Sequence, residues 1–184
     1  DTQATIKDKI KFATILGTMQ STLTDFKYLG SEWKKNCEEE RLLGVSLTGI
    51  MDNELTAYPT PAMLENFKAV AVKTNEEWAK KFNINPSSAI TCVKPSGTVS
   101  QLCNSASGIH ARHSEYYIRR VRMDGKDPLC KFMEAKGFPC EVDVMNNSNM
   151  VFSFPMQSPS KSIMRNDMPA LEQLQTWQMY AEHW

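Results

Sequence analysis

Seven consecutive residues, Lys94-Pro95-Ser96-Gly97-Thr98-Val99-Ser100, carry the side-chain types that gather an anion. Proline cannot donate to a strand ladder and forces its predecessor out of the helical region, so a strand must end here. Ser96-Gly97-Thr98 then reads as a tight turn, with a helix opening at Thr98 and running to Cys103. The first amides of a helix have no partner inside it. Those amides, the positive end of the helix dipole and the hydroxyls of Ser96, Thr98 and Ser100 together make a site for phosphate. The candidate phosphate-binding residues are Pro95, Ser96, Gly97, Thr98, Val99 and Ser100. Serine and threonine are also ordinary helix caps, so the same stretch also reads as a capped helix behind a core strand. It is neither a Walker loop, which needs a second glycine and a Lys-Ser/Thr ending, nor a three-glycine dinucleotide fingerprint.

Other groups could do chemistry, and each has a plainer reading. Cys103, His110 and His113 are spaced Cys-x6-His-x2-His, which matches no common zinc pattern and lacks a fourth ligand, so no metal site is expected. Arg112 and His113 read as orienting or structural groups beside the turn. Arg119, Arg120 and Arg122, with Tyr116 and Tyr117, could stack on single-stranded nucleic acid. A solvated face or internal ion pairs is the simpler account. Asp52 and Glu54 follow the carboxyl end of a strand, where α/β proteins place ligands, yet isolated carboxylates there usually only solvate a loop. Cys92 reads as a small core residue and Cys103 as a neighbour of the turn; neither has an adjacent base to activate it. The 11 methionines read as core filler.

The elements that must hold the turn follow from periodicity. Residues 3–24 repeat apolar positions every three and four residues, through Ile6, Ile10, Ala13, Leu16 or Gly17, Met19 or Gln20, and Leu23, which predicts one amphipathic helix. A short second helix is expected over 31–36. Residues 42–50 are apolar apart from small hydroxyls and read as a strand covered on both faces. Pro61 opens a helix expected to run to Phe82, with Leu64, Phe67, Trp78 and Phe82 on its buried stripe. Residues 90–93 make the strand before the turn, and further strands are expected over 116–122 and 151–154. Helices over 128–136, stopped by Gly137, and 171–184 complete the pattern. Alternating helices and strands predict an α/β architecture with mostly parallel strands and crossover helices.

Composition sets the outer limits. The chain has 184 residues, 41% hydrophobic and 23% charged, enough to bury a core. Lys+Arg and Asp+Glu balance at 21 each, which argues against nucleic acid or an anionic membrane as a partner. The five cysteines include no C-x-x-C pair, so a disulfide scaffold is not expected and a reducing cytoplasm fits. No internal repeat or linker suggests a domain boundary. The chain opens on Asp1 and closes inside a helix, so it reads as a single segment, 1–184, truncated at both ends.

Four blocks, taken together, resemble a known family: Arg41-Leu-Leu-Gly-Val-Ser-Leu-Thr-Gly-Ile50, Lys94-Pro-Ser-Gly-Thr-Val-Ser-Gln101, Ser107-Gly-Ile-His-Ala-Arg-His113 with Tyr116-Tyr-Ile-Arg-Arg-Val-Arg122, and Phe152-Ser-Phe-Pro155. In this order they look like the later part of the catalytic subunit of adenosylcobalamin-dependent (class II) ribonucleoside-triphosphate reductases. The resemblance implies a segment of the ten-stranded α/β barrel of ribonucleotide reductases. It implies that the turn at Pro95–Ser100 holds the substrate's phosphates. The implied whole enzyme reduces ribonucleoside triphosphates to deoxyribonucleotides by thiyl radical chemistry, for which adenosylcobalamin, bound mainly outside this segment, supplies the initiating radical. A thioredoxin-like protein or a dithiol would be the reductant.

The family's radical cysteine sits in an Asn-x-Cys-x-Glu context that no cysteine here has. Asn36-Cys37-Glu38 places both neighbours directly beside the sulfur, so that role is not transferred to Cys37. The expectation is therefore a piece of the substrate cradle without the radical machinery, inactive in isolation. A reductase of another radical class and a catalytically silent nucleotide-binding domain are the alternatives.

Overall fold

A computed structural model describes all 184 residues. They group into two compact units, one of Asp1–Ala111 with Lys161–Trp184 and one of Arg112–Ser160. No helix is long and apolar enough to cross a membrane.

In the first unit, helix α1 spans Gln3–Gln20. Thr2 and Thr5 cap it reciprocally, each hydroxyl accepting from the other's backbone amide. Its buried face is Ile6, Ile10, Thr14 and Thr18, a spacing of four. The expected stripe is thus corrected in its second half: Leu16 is 66% and Leu23 74% exposed. Threonine can take the buried positions because its hydroxyl bonds back along the helix. Thr14 donates to Ile10 O and Thr18 to Thr14 O, both at 2.8 Å. Helix α2, Ser31–Glu40, is longer than expected and ends on Arg41 in the left-handed region.

The apolar run after it yields only a two-residue strand, β1 (Val45–Ser46). Gly49, at φ +68°, turns the chain into a 3-10 turn, Ile50–Asp52, and the short helix α3, Glu54–Ala57. Helix α4, Pro61–Phe82, begins as expected, with Thr60 accepting from Met63 N–H and Pro61 at its first position. It buries Leu64, Phe67 and Ala71, while Trp78 and Phe82 pack on each other at the half-buried end. Asn75 of α4 donates to the Thr18 hydroxyl (3.0 Å) and to Ser87 Oγ (2.9 Å), and accepts from Ser87 N–H. A satisfied polar network therefore sits beside the apolar core between α1 and α4.

Strand β2 (Thr91–Cys92) pairs with β1 in parallel, Val45 opposite Thr91. Helix α5 is only Val99–Leu102, and α7 spans Ala170–His183. The core joins Ile6 and Ile10 of α1, Val45, Ile50 and Met51, Leu64 and Phe67 of α4, and Tyr180 and Trp184 at the chain's end. Tyr180 donates its hydroxyl to Thr56 O at 2.8 Å, and burial pushes its phenol well above the ordinary tyrosine range.

The second unit is built differently. Strand β3 (Tyr116–Asp124) pairs antiparallel with β5 (Asn149–Gln157) along nine residues, and β4 (Cys140–Val142) pairs with the other edge of β5. The order is β3-β5-β4. Helix α6, Pro128–Ala135, is capped by Asp127, which accepts from Leu129 N–H, and Gly137 leaves it at φ +76°. The expectation of mostly parallel strands is corrected here. The fold is α/β with one parallel pair, and its more extensive pairing is antiparallel. Connections of a few residues suffice for such a sheet, whereas a parallel pair needs a crossover like α4.

Candidate functional site

The strand before the turn is brief because its neighbours are. Leu43 N–H reaches Ala89 O and Val45 N–H reaches Ile90 O, both at 2.9 Å. Beyond Cys92 the ladder stops, and Lys94 N–H turns to the Ser46 hydroxyl at 3.0 Å. Lys94, Pro95, Gly97, Thr98 and Val99 are exposed, and Ser96 is half-buried.

Hydrogen bonding sorts the six candidate residues into two roles. Ser96 is committed to holding the turn: its amide donates to Ser107 Oγ (2.8 Å) and its hydroxyl accepts from Ser100 N–H (2.9 Å). Ser100 is fully buried and its hydroxyl donates to Ser96 O at 2.8 Å. That hydroxyl braces the loop. The amides of Gly97, Thr98 and Val99 make no hydrogen bond within the protein. Thr98 precedes α5 without a side-chain cap bond and is exposed. Gly97 has no positive φ, and a Cβ added there meets nothing within 4 Å. The corner is open. With α5 only four residues long, the attraction for an anion lies in the three outward amides and not in a long helix dipole.

A second loop braces the turn. Residues 104–109 are zipped onto residues 48–52: Gly49 N–H and the Thr48 hydroxyl both donate to Ala106 O, at 2.8 and 2.9 Å. Gly108 N–H donates to Thr48 Oγ1 (3.0 Å) and Ile50 N–H to Gly108 O (3.2 Å). Gly108 sits at φ +51°, so close under Lys94 that a Cβ would lie 3.1 Å from its carbonyl oxygen. Asp52 completes the brace by accepting from Ala106 N–H. Thr48 and Ser107 carry these bonds and were not singled out by sequence. The signal for them was present in Gly49 and Gly108, which flank hydroxyl-bearing residues and take left-handed conformations.

The remaining candidates fall into structural roles. Cys103 is exposed, and Nδ1 of the exposed His110 lies 2.9 Å from Ser107 O. His113 packs edge-on against Tyr117 in the second unit, where Arg112 is buried. Cys37 lies half-buried on α2. Arg120 pairs with Glu141, and Arg122 Nε with Asp143 Oδ2 at 2.9 Å. Glu141 on β4 and Asp143 just beyond it thus pair two of the three arginines of that cluster. The Asp143 carboxyl is held below the usual carboxylate range, first by the Met145 amide and then by Arg122, against the opposing effect of burial. A cavity of about 820 Å³ runs along β2, walled by Lys68, Trp177, Tyr180 and Trp184. It meets the turn only at Pro95, and Gly97 and Thr98 do not line it.

No model of a known protein family matches the chain. Curated relatives do. The adenosylcobalamin-dependent ribonucleoside-triphosphate reductase of Levilactobacillus brevis is 28% identical over 152 residues, 68% of this chain and 20% of that protein. The protein of that name from Lacticaseibacillus paracasei is 36% identical over 87 residues, 47% of this chain and 12% of that one. The backbone agrees with a solved structure titled a B-12 dependent (class II) ribonucleotide reductase, with a TM-score of 0.77 over 95% of this chain and 29% of that one. The chain resembles one segment of the class II reductases. It spans about a fifth of the length of the curated relatives it matches. At 22% identity, the solved reductase speaks for the fold alone.

Proposed function

We propose that the chain supplies the substrate phosphate-binding turn of a ribonucleotide reductase, with Gly97, Thr98 and Val99 presenting their amides to the phosphates. The observation that carries this reading is the open corner itself: three exposed, unpaired amides on a turn braced from behind by Ser96, Ser100 and Ser107. An unpaired amide donates a stronger hydrogen bond to a charged oxygen than to a neutral one. Backbone donors also need no side-chain ordering when the ligand arrives. The exposed Lys94 adds a positive charge beside the turn.

The whole protein, on this reading, is a ribonucleoside-triphosphate reductase built on the ten-stranded barrel. It replaces the ribose 2′-hydroxyl by hydrogen through a cysteine thiyl radical, with electrons from a cysteine pair and a thioredoxin-like reductant. Adenosylcobalamin, named for the relatives, supplies the initiating radical when bound. No residue of this chain is assigned to hold it. This segment's part is to fix the triphosphate so that the sugar is presented in one place.

Gly97→Val in the full-length protein tests the reading. The added side chain meets open space in the free protein, so the fold should be indifferent to it. Ribonucleoside triphosphate affinity should fall by about tenfold or more, a loss of roughly 1.4 kcal/mol. Unchanged affinity in the folded variant contradicts the assignment.

A further inference from the structure

We propose that Asp52 is a positioning residue for the phosphate turn; this rests on the reading of that turn given above. Its carboxylate ties together stretches of chain far apart in sequence. Oδ2 accepts from Ala106 N–H at 2.7 Å, and Oδ1 accepts from the Ser162 hydroxyl at 2.9 Å. Ile163 N–H donates to Met51 O at 2.9 Å and clamps the same junction. The residue after Ala106 is Ser107, whose oxygen takes the Ser96 amide at 2.8 Å. A short chain of contacts thus runs from Asp52 through Ala106 and Ser107 to Ser96, the residue directly before the open amides.

The Ala106 amide needs an acceptor at position 52. Oδ2 takes that backbone N–H, and Oδ1 takes a hydroxyl that can also turn to accept. An asparagine therefore keeps both contacts, its Oδ1 on Ala106 N–H and its NH2 on Ser162 Oγ, whereas an alanine keeps neither. The Ala106 amide would then lose its partner or the loop would shift, and Ser107 Oγ would move with it. Ala106 is itself buried, so water is a poor substitute partner for its amide. Ala106 O is meanwhile fixed by Gly49 N–H and the Thr48 hydroxyl, which makes the loop a stiff lever and not a soft one. Asp52 reaches the turn through Ala106 and Ser107. Its effect on a ligand is indirect and should depend on the ligand's phosphates.

The test compares a ribonucleoside triphosphate with its parent nucleoside as ligands of the full-length protein. Asp52→Ala should weaken triphosphate binding by about tenfold and leave nucleoside binding within about twofold. Ser107→Ala, which removes only the acceptor of the Ser96 amide, should show the same selectivity and covers the case in which Asp52→Ala does not fold. Equal weakening of both ligands by either folded variant means a general structural role and overturns the proposal. Unchanged triphosphate binding overturns it too. If Gly97→Val lowers triphosphate affinity while Asp52→Ala and Ser107→Ala do not, the turn still binds phosphate and only the positioning role fails. If Gly97→Val is also without effect, the reading of the turn fails with it.

Discussion

The parallel pair and the antiparallel sheet solve the same problem of backbone satisfaction in opposite ways. Along β3 and β5, nine residues on each strand pair in unbroken register, so the amides that face the partner strand are taken up by the ladder. β1 and β2 pair over two residues each, and the chain around them is held by side chains: Ser46 to Lys94, Thr48 to Gly108, Ser107 to Ser96 and Asp52 to Ala106. Irregular backbone braced by hydroxyls and a carboxylate can leave amides exposed by design, as it does at Gly97, Thr98 and Val99. A continuous ladder can do so only along its outer edge. The contrast teaches where a ligand can be gripped by main chain in this molecule, and where the chain serves only as a frame.

The polar groups differ in the same sense. On the antiparallel sheet they screen an apolar surface. Val151 is buried between Arg122 and Glu141 in the register, under a face where Arg120 bridges to Glu141 of β4 and Arg122 to Asp143 just beyond it. Around the parallel pair they hold backbone to backbone.

Three measurements on the full-length protein sharpen or break this contrast. The largest effect is expected in the cores. Phe67→Ala and Phe152→Ala each empty a fully buried site and should each cost about 3–5 kcal/mol in denaturant unfolding. Amide exchange should place the Phe67 effect on α1 and α4, and the Phe152 effect on β3, β4 and β5. A smaller loss, about 1 kcal/mol, is expected from Tyr180→Phe, which strips Thr56 O of its only side-chain donor. Since the folded phenol is raised above its unfolded value near 10, the protein's stability is whole below that pH. It should decline as pH rises further, and Tyr180→Phe should remove that decline. The smallest effect is expected at the acid end. Asp143 is lowered from an unfolded value near 4, so its contribution is present above about pH 4 and fades as pH falls through the folded value. Asp143→Asn should flatten the acid limb seen for β4 and β5, and an unchanged limb would show that the Met145 amide and Arg122 do not favour the carboxylate.

Much of the frame was readable from sequence, because long periodic segments announce themselves. Thr60-Pro61 gave the start of α4 and Gly137 the end of α6, since caps and left-handed glycines have local chemical causes. The second half of α1 was misread because threonine hydroxyls bonded to the preceding turn make buried residues of a polar type. β1 proved far shorter than its apolar run, because Gly49 bends the chain away before a third pair can form. β4 was missed altogether: Cys140-Glu141-Val142 alternates over only three residues, too few to register as a pattern, and its pairing with β5 makes it a strand. The open turn itself was visible in Pro95-Ser96-Gly97-Thr98, because proline and small residues dictate local geometry. The division of labour within it was not. That Ser96 and Ser100 brace while Thr98 is exposed depends on Ser107 and Asp52, which only the folded chain brings near.

Amide hydrogen exchange of residues 95–100 in the full-length protein, with and without saturating ribonucleoside triphosphate, tests the central claim most directly. The account predicts that the amides of Gly97, Thr98 and Val99 exchange freely in the apo protein and become protected when the nucleotide binds. Binding that saturates while those three amides exchange as before, or protection confined to β3 and β5, would contradict it.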